Sequence, residues 1–357
     1  MFIITLILDV NNNNGENMSK GKIKKGQFFT KGNPFVFPVF QDWLYEYALK
    51  EDKGSIFIEP FAGSNSIIKL FQQANPDLQN KWKAFDIEPE SVAKNVTNIS
   101  IEKRDMLKRF PKGYNIGITN PPYLAKNSAK RKNIRFTYKG FDDLYKYSLH
   151  IMLKNLDYVA AIIPESFIVQ NLFHDRLFAV VSLRSKMFED TECPVCLALF
   201  IPVGKKKVKD NFSIYSNEEY VGDYQSLIKL NEPSFVNEIP VIFHNPHGQI
   251  ALHAIDNTYN ASIEFKRGEI IPVDKVKKSN RSFTRIGVPE HFTDIEIDTI
   301  INISNDLLLK KRIQTKDVFL TSFKGLRKDG FYRRRLDFTQ ARTILNEAVY
   351  LLNKRVQ

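Results

Sequence analysis

Between Phe35 and Pro202 the chain alternates short, largely apolar runs with segments of helical spacing, and this alternation limits the fold more than any other feature. Residues 55–61 (SIFIEPF), 82–87, 114–119 (YNIGIT), 158–164 (YVAAIIP) and 195–201 (VCLALFI) have the length and continuity of buried strands. Residues 35–49, opened by the cap and first turn Asn33-Pro34, read as helical, as do 67–71, 142–156 and 171–187. Strand and helix in turn predict an α/β domain with a parallel sheet. Ligands of such sheets bind beyond the carboxyl ends of the strands, so the residues that follow each apolar run carry the functional information.

The run 114–119 ends on Asn120-Pro121-Pro122-Tyr123. Two prolines stop a strand abruptly and make a rigid turn. The Asn120 amide oxygen and the Pro121 backbone carbonyl can each accept a hydrogen bond from an exocyclic amino group, and the Tyr123 ring can stack on a flat heterocycle. Taken alone, the tetrapeptide is equally a plain turn after a strand. Upstream, 55–61 runs into Ala62-Gly63-Ser64-Asn65-Ser66, a tight turn of small residues ahead of a helix. Such a turn brings backbone N–H groups up to a ligand. The three spaced glycines of a dinucleotide fingerprint and the Gly-Lys-Ser/Thr of a Walker loop are missing. The run 82–87 carries Asp86, an acid placed to hold ribose hydroxyls, and Asp105 stands ahead of the Asn120 strand. Gly63, Asp86, Asp105 and Asn120 each follow a strand candidate, so they are predicted to converge on one cleft.

In this order the motifs resemble the amino-methyltransferases, specifically the gamma-type N6-adenine DNA methyltransferases, over residues 26–202. The family motif Gly-x-Phe/Tyr-x-Thr is matched loosely by Gly26-Gln27-Phe28-Phe29-Thr30. Its acidic-Pro-x-x-Gly-x-Gly motif is matched by Glu59-Pro60-Phe61-Ala62-Gly63-Ser64-Asn65. The ribose-binding acid falls on Asp86, the adenine-contacting acid on Asp105, and the aromatic residue before the last core strand on Phe188. Asn-Pro-Pro-Tyr is intact at 120–123.

The resemblance implies S-adenosylmethionine as cofactor, held by Thr30, Glu59, Pro60, Ala62, Gly63, Asp86, Asp105 and Asn120. It implies a seven-stranded, mostly parallel Rossmann-like sheet. It implies catalysis at Asn120, Pro121, Pro122 and Tyr123, with a flipped adenine stacked between Tyr123 and Phe188. Asn65 stands where the family has glycine, and Asn is the residue most at ease in left-handed geometry after glycine. No proline follows Thr30 directly. The implied partner is double-stranded DNA, methylated at specific sites in a restriction-modification or phage setting, with the enzyme monomeric on DNA and any endonuclease a separate chain. Two alternatives share the chemistry. One is an RNA adenine methyltransferase. The other is a protein glutamine methyltransferase, whose family carries a helical domain before the core and stops soon after it.

Composition agrees with a polyanionic partner: the 357 residues carry a net charge of +12 and a pI near 9.4. No apolar stretch reaches the length of a membrane span. Cys193 and Cys196 lie at the start of a strand with no further cysteine to complete a zinc site, so they read as reduced thiols of a cytoplasmic protein that needs no metal. Residues 1–25 read as a disordered tail with Met18 the functional start, 26–204 as the catalytic domain, and 205–357 as a partly β target-recognition domain closed by a helix at 336–352. Residues 239–243, 250–255 and 263–265 are its strand candidates, with His244 to Gly248 a polar hairpin turn. Lys126, Lys130, Arg131 and Arg135 mark a mobile loop expected to order over DNA phosphate. Lys277, Arg281 and Arg285, and then Arg333, Arg334 and Arg335, interleave with Phe283, Phe331 and Tyr332, a pattern that reads as a nucleic-acid surface.

Overall fold

The computed structural model describes residues 33–356 except 51–54, 79–80, 92–93, 185–186, 188–192, 207, 231, 234 and 236–237. The tail 1–25, Thr30 and Phe188 lie outside the described residues.

Nine strands form one sheet: β1 (Phe57–Glu59), β2 (Trp82–Asp86), β3 (Ile101–Lys103), β4 (Ile116–Thr119), β5 (Tyr158–Pro164), β6 (Leu177–Ser182), β7 (Val195–Phe200), β8 (Ser213–Ser216) and β9 (Glu219–Asp223). Their order is β3-β2-β1-β4-β5-β7-β6-β8-β9. Strands β1 to β5 are mutually parallel. Strand β7 runs antiparallel between β5 and β6. The chain moves outward from β1 to β3 and then returns to the other side of β1 as β4. The crevice at such a reversal is where open α/β sheets bind ligands.

Both faces of the sheet are buried. On β5, Tyr158, Ala160 and Ile162 join one core, while Val159, Ala161 and Ile163 join the other. The first face is covered by α1 (Pro38–Asp42), which continues into a wider helical turn over Trp43–Ala48, and by α2 (Ser66–Ala74). The Trp43 indole N–H donates to the Phe200 carbonyl at 2.9 Å, pinning this lead segment to β7. Next in the chain, α3 (Lys126–Arg131) follows the Asn120 turn. The second face is covered by α4 (Leu144–Asn155) and α5 (Tyr224–Lys229).

Two features of this large sheet depart from the sequence reading. The segment expected as a helix over 171–187 is, among its described residues, turns followed by β6. The residues of β6 are apolar at nearly every position, and periodicity cannot separate a doubly buried strand from a buried helix. Strands β8 and β9 extend the sheet past the expected seven, so residue 204 falls between two strands of one sheet.

The remaining chain builds a second sheet in the order β10 (Ile242–Phe243), β13 (Phe283–Gly287), β11 (Ile250–His253), β12 (Glu264–Arg267), packed on α6 (Asp294–Thr315) and α7 (Phe338–Val356). Helix α6 opens with a capping box: Thr293 Oγ1 accepts from Glu296 N at 3.3 Å, and Glu296 Oε2 accepts from Thr293 N at 2.8 Å. Asp337 caps α7, its Oδ1 accepting from Gln340 N at 2.9 Å. The turn at His244 to Gly248 is polar but closes no hairpin. It joins β10 to β11, which flank β13 instead of pairing, and Asn245 N donates to Arg285 O of β13 at 3.2 Å. Last, β14 (Thr321–Leu326) and β15 (Tyr332–Arg335) form a hairpin against the large sheet, where Tyr332 N donates to Arg184 O just past β6. Among the described residues no helix is long and apolar enough to cross a membrane.

Candidate active site

Glu59 ends β1 and is fully buried. Its Oε1 accepts from Phe61 N at 3.0 Å and from the Thr119 hydroxyl, while its Oε2 is buried with no hydrogen-bond partner among the described residues. Burial pushes this carboxyl up to about 8, against the pull of the Thr119 and Phe61 bonds, with Asp86 adding to the rise. At neutral pH it is therefore a carboxylic acid with an O–H to give. Thr119 immediately precedes Asn120, so the Thr119–Glu59 bond ties the small-residue turn after β1 to the Asn-Pro-Pro-Tyr turn after β4.

The small-residue turn is left-handed twice, at Gly63 (φ 50°) and Asn65 (φ 63°). Asn65 does more than tolerate this geometry. Its Nδ2 lies 3.0 Å from Asn95 Oδ1, 3.0 Å from Thr97 Oγ1 and 2.9 Å from Ile99 O, so a buried amide holds the 95–99 loop where glycine would hold nothing. Asp86 ends β2 and is buried. Its Oδ2 accepts from Gly63 N at 3.0 Å and its Oδ1 from Glu88 N at 2.9 Å. A carboxylate offers about four acceptor positions, so about two stay open. Pro60 and Ala62 are buried beneath the turn, and Ala62 N donates to Phe85 O at 2.8 Å. Asp105 follows β3 and is half-buried. It accepts from Leu107 N at 3.1 Å and pairs with Lys108 at 3.0 Å, as the cap of a turn.

Asn120 follows β4 and is half-buried. The Tyr123 hydroxyl oxygen lies 2.5 Å from Asn120 Oδ1 and 2.6 Å from the Ile162 carbonyl of β5. The half-buried Tyr123 ring packs against both cores and meets Tyr145 edge-on, with centroids 6.0 Å apart. Asp143, the N-cap of α4, accepts from Leu124 N at 3.0 Å and from Tyr145 N at 3.4 Å, which locks the chain just after Tyr123. Sequence reasoning missed Asp143 in this role. Its signal was an acid standing immediately before a helical apolar run.

The segment 126–139 differs from the mobile loop the sequence predicts. It carries α3 and packs on a small cluster of its own, with Leu124, Ala129 and Leu144 at the centre and Ile134, Phe136 and Tyr138 around it. Lys126, Lys130, Arg131 and Arg135 are exposed on it, as are Lys277 and Arg281 in the second unit.

The other predicted DNA contacts turn inward, wholly or in part. Arg285 is half-buried and donates to the Gly248 carbonyl at 3.1 Å. Arg333 donates to the Asp256 carbonyl at 2.6 Å and lies over the Phe323 ring at 5.2 Å. Arg334 is 1% exposed and bonded to Glu165 through both terminal nitrogens, at 2.6 and 3.0 Å. It is not a DNA-surface residue. Strand alternation explains the difference: Tyr332 and Arg334 face inward on β15, while Arg333 and Arg335 face the other way and are half-buried. Asp256, itself fully buried, gathers Arg312 at 2.8 Å and Arg327 at 3.3 Å behind them.

Cys196 is buried in β7, and no disulfide joins it to Cys193. No group of three or more His, Cys, Asp or Glu among the described residues is arranged to hold a metal ion.

No protein-family profile matches the chain, and no curated protein sequence matches it. Solved structures do match. A type I restriction-modification methyltransferase subunit from Streptococcus thermophilus is 14% identical with a TM-score of 0.37, over 54% of this chain and 47% of that one. A candidate class I S-adenosylmethionine-dependent methyltransferase from Listeria monocytogenes is 13% identical with a TM-score of 0.37, over 52% of this chain and 66% of that one. The M protein of the type I restriction enzyme EcoKI is 13% identical with a TM-score of 0.34, over 59% of this chain and 50% of that one. The chain thus spans about half to two thirds of the length of these proteins.

Proposed function

We propose that the chain is an S-adenosylmethionine-dependent methyltransferase that modifies the N6 amino group of adenine in DNA. One observation carries the reading. Glu59, Gly63, Asp86 and Asn120 meet at the carboxyl ends of adjacent parallel strands, and hydrogen bonds join them in pairs: Glu59 to the residue before Asn120, Asp86 to Gly63.

The residues present fit the cofactor. The orphaned Glu59 Oε2 supplies a buried polar atom that needs a partner, and Asp86 keeps acceptor positions suited to ribose hydroxyls. When bound, S-adenosylmethionine supplies an electrophilic methyl group. The chain's own task is at the acceptor nitrogen. The N6 lone pair is delocalised into the adenine ring. Hydrogen bonds accepted by Asn120 Oδ1 and the Pro121 carbonyl draw electron density back to that nitrogen and strengthen as it gains positive charge. Holding the nitrogen in line with the methyl group supplies much of the remaining acceleration. In duplex DNA the N6 group lies within the stack, so the base has to be turned out to reach this turn. The half-buried Tyr123 ring forms one wall for the base, and Phe188 is the expected second wall.

The exposed Lys126, Lys130, Arg131 and Arg135 sit directly after the Asn120 turn, in reach of phosphates flanking a flipped base. The second unit, with exposed Lys277 and Arg281, is the candidate for target recognition in a restriction-modification setting. Transfer of a radiolabelled methyl group to DNA, RNA and protein in parallel tests the reading, with methylation-sensitive sequencing to locate the modified base. Label on DNA adenine supports it. Label on RNA or protein alone overturns it in favour of that acceptor.

A further inference from the structure

The Tyr123 hydroxyl lies within hydrogen-bond distance of two oxygens at once, Asn120 Oδ1 at 2.5 Å and Ile162 O at 2.6 Å. A phenol has one proton. If it is given to Asn120, the contact with Ile162 brings two acceptors together with no proton between them. If it is given to Ile162, the contact with Asn120 is the unsatisfied one. Deprotonation offers no escape. Burial holds the Tyr123 phenol well above its ordinary pKa, so the group stays neutral. A single arrangement satisfies all three groups: the Asn120 amide presents its NH2 to the phenol oxygen, and the phenol proton goes to the Ile162 carbonyl. The heavy-atom positions of an amide are the same in either orientation, so the hydrogen-bond network decides between them.

We propose that Tyr123 is a positioning residue whose hydroxyl, anchored on the Ile162 carbonyl of β5, holds the Asn120 NH2 and leaves Asn120 Oδ1 as the acceptor for the substrate amino group. The inference rests on the methyl-transfer reading above for its catalytic consequence, but not for the hydrogen bond itself. It also explains why the turn follows β4. Strand β5 is the parallel neighbour of β4, so its backbone supplies a fixed carbonyl beside the catalytic turn. A bond donated by Tyr123 to Oδ1 would instead compete with the substrate for the oxygen's lone pairs and weaken it as an acceptor.

Two measurements on the full chain test this, and they fail separately. The first is the side-chain amide resonance of Asn120 by 15N NMR, assigned by its loss in Asn120→Asp. One Nδ2–H is expected to exchange with solvent at least about tenfold more slowly in the wild type than in Tyr123→Phe. Equal exchange in the two proteins overturns the proposal, whether or not the chain methylates DNA. If Tyr123→Phe does not fold, an unprotected Asn120 amide in the wild type overturns it in the same way. The second is turnover on unmethylated genomic DNA. Tyr123→Phe keeps the ring and its packing, so KM for DNA and Kd for S-adenosylmethionine should stay within about twofold while kcat falls about 10- to 100-fold. A retained kcat overturns the positioning role. Loss of methyl transfer by the wild type itself would count against the functional reading, leaving the NMR result to decide the hydrogen bond.

Discussion

Glu165 and Arg334, 169 positions apart in the chain, form a buried bidentate ion pair at 2.6 and 3.0 Å. Glu165 follows β5 at the carboxyl edge of the large sheet, and Arg334 lies on the β14–β15 hairpin of the second unit. Ser182 and Ser322 donate to the same carboxylate. Burial by itself would raise the Glu165 carboxyl. The Arg334 guanidinium, with hydrogen bonds from Arg334, Ser182 and Ser322, outweighs it and holds the group below its ordinary value. The pair therefore fixes the second unit against the strand edge that carries the candidate active site.

Arg334→Met leaves a buried carboxylate without its cation and should cost about 3–5 kcal/mol of stability. The sign with pH follows from the lowered pKa. The stabilisation is present above the unfolded carboxylate's pKa and is lost as pH falls through the folded value. Urea denaturation at pH 7 and below pH 4 should show a large gap between variant and wild type that narrows in acid. A variant as stable as the wild type at pH 7 would mean the pair contributes nothing net.

Glu59 titrates the other way. Its pKa is raised from 4.5 to about 8 by burial, so between these values the folded chain binds more protons than the unfolded chain. Stability should fall as pH rises through this window, with a limiting slope of about 1.4 kcal/mol per pH unit. Glu59→Gln cannot titrate and should lose this part of the slope. Denaturation series at pH 5 to 8, without cofactor, would give parallel lines if Glu59 were charged in the fold.

Asn120→Ala should abolish nearly all methyl transfer while calorimetric binding of S-adenosylmethionine stays close to normal. The side chain proposed to face the acceptor nitrogen is lost, and the turns at Gly63 and Asp86 are untouched. A variant with a tenth or more of the wild-type rate would remove Asn120 from the chemistry.

Asp86→Ala should weaken S-adenosylmethionine binding by about 1.5–3 kcal/mol, the worth of hydrogen bonds to a charged group. Part of the loss is indirect, because Gly63 N and Glu88 N lose their acceptor and the turn loosens. Titration calorimetry reads the change. Unchanged affinity would place the ribose elsewhere.

Lys277, Lys278 and Arg281 are exposed to solvent, where buried Arg334 is not, and can reach DNA phosphate. Their joint replacement by alanine should lower the slope of log K against log salt by about 0.9 for each phosphate no longer neutralised. Binding measured from low to moderate salt, on random and methylatable DNA, checks it. An unaltered slope would make this cluster an ordinary solvated surface.

Local sequence was enough to specify five strands of the large sheet and the strand ends that carry the candidate site. Strands β1, β2, β4, β5 and β7 are local apolar runs, and three of them are stopped by prolines that cannot continue them: Pro60 after Glu59, Pro121 after Asn120, Pro202 after Ile201. Parallel connections then bring Gly63, Asp86 and Asn120 to one edge without further information, and Asn65 takes the left-handed geometry its side chain permits. The rest depended on partners distant in the chain. Strand β6 is apolar at almost every position, so only its neighbours β7 and β8 choose strand over helix. Arginines 333 to 335 look alike in sequence, yet a buried Glu165 takes up the middle one. Whether a guanidinium faces water or a carboxylate depends on a partner far away in the chain, and on the cost of burying either charge alone. The Tyr123 hydroxyl is the same case at the Asn-Pro-Pro-Tyr turn: its second contact is a backbone carbonyl of β5, an atom every residue has and no sequence pattern marks.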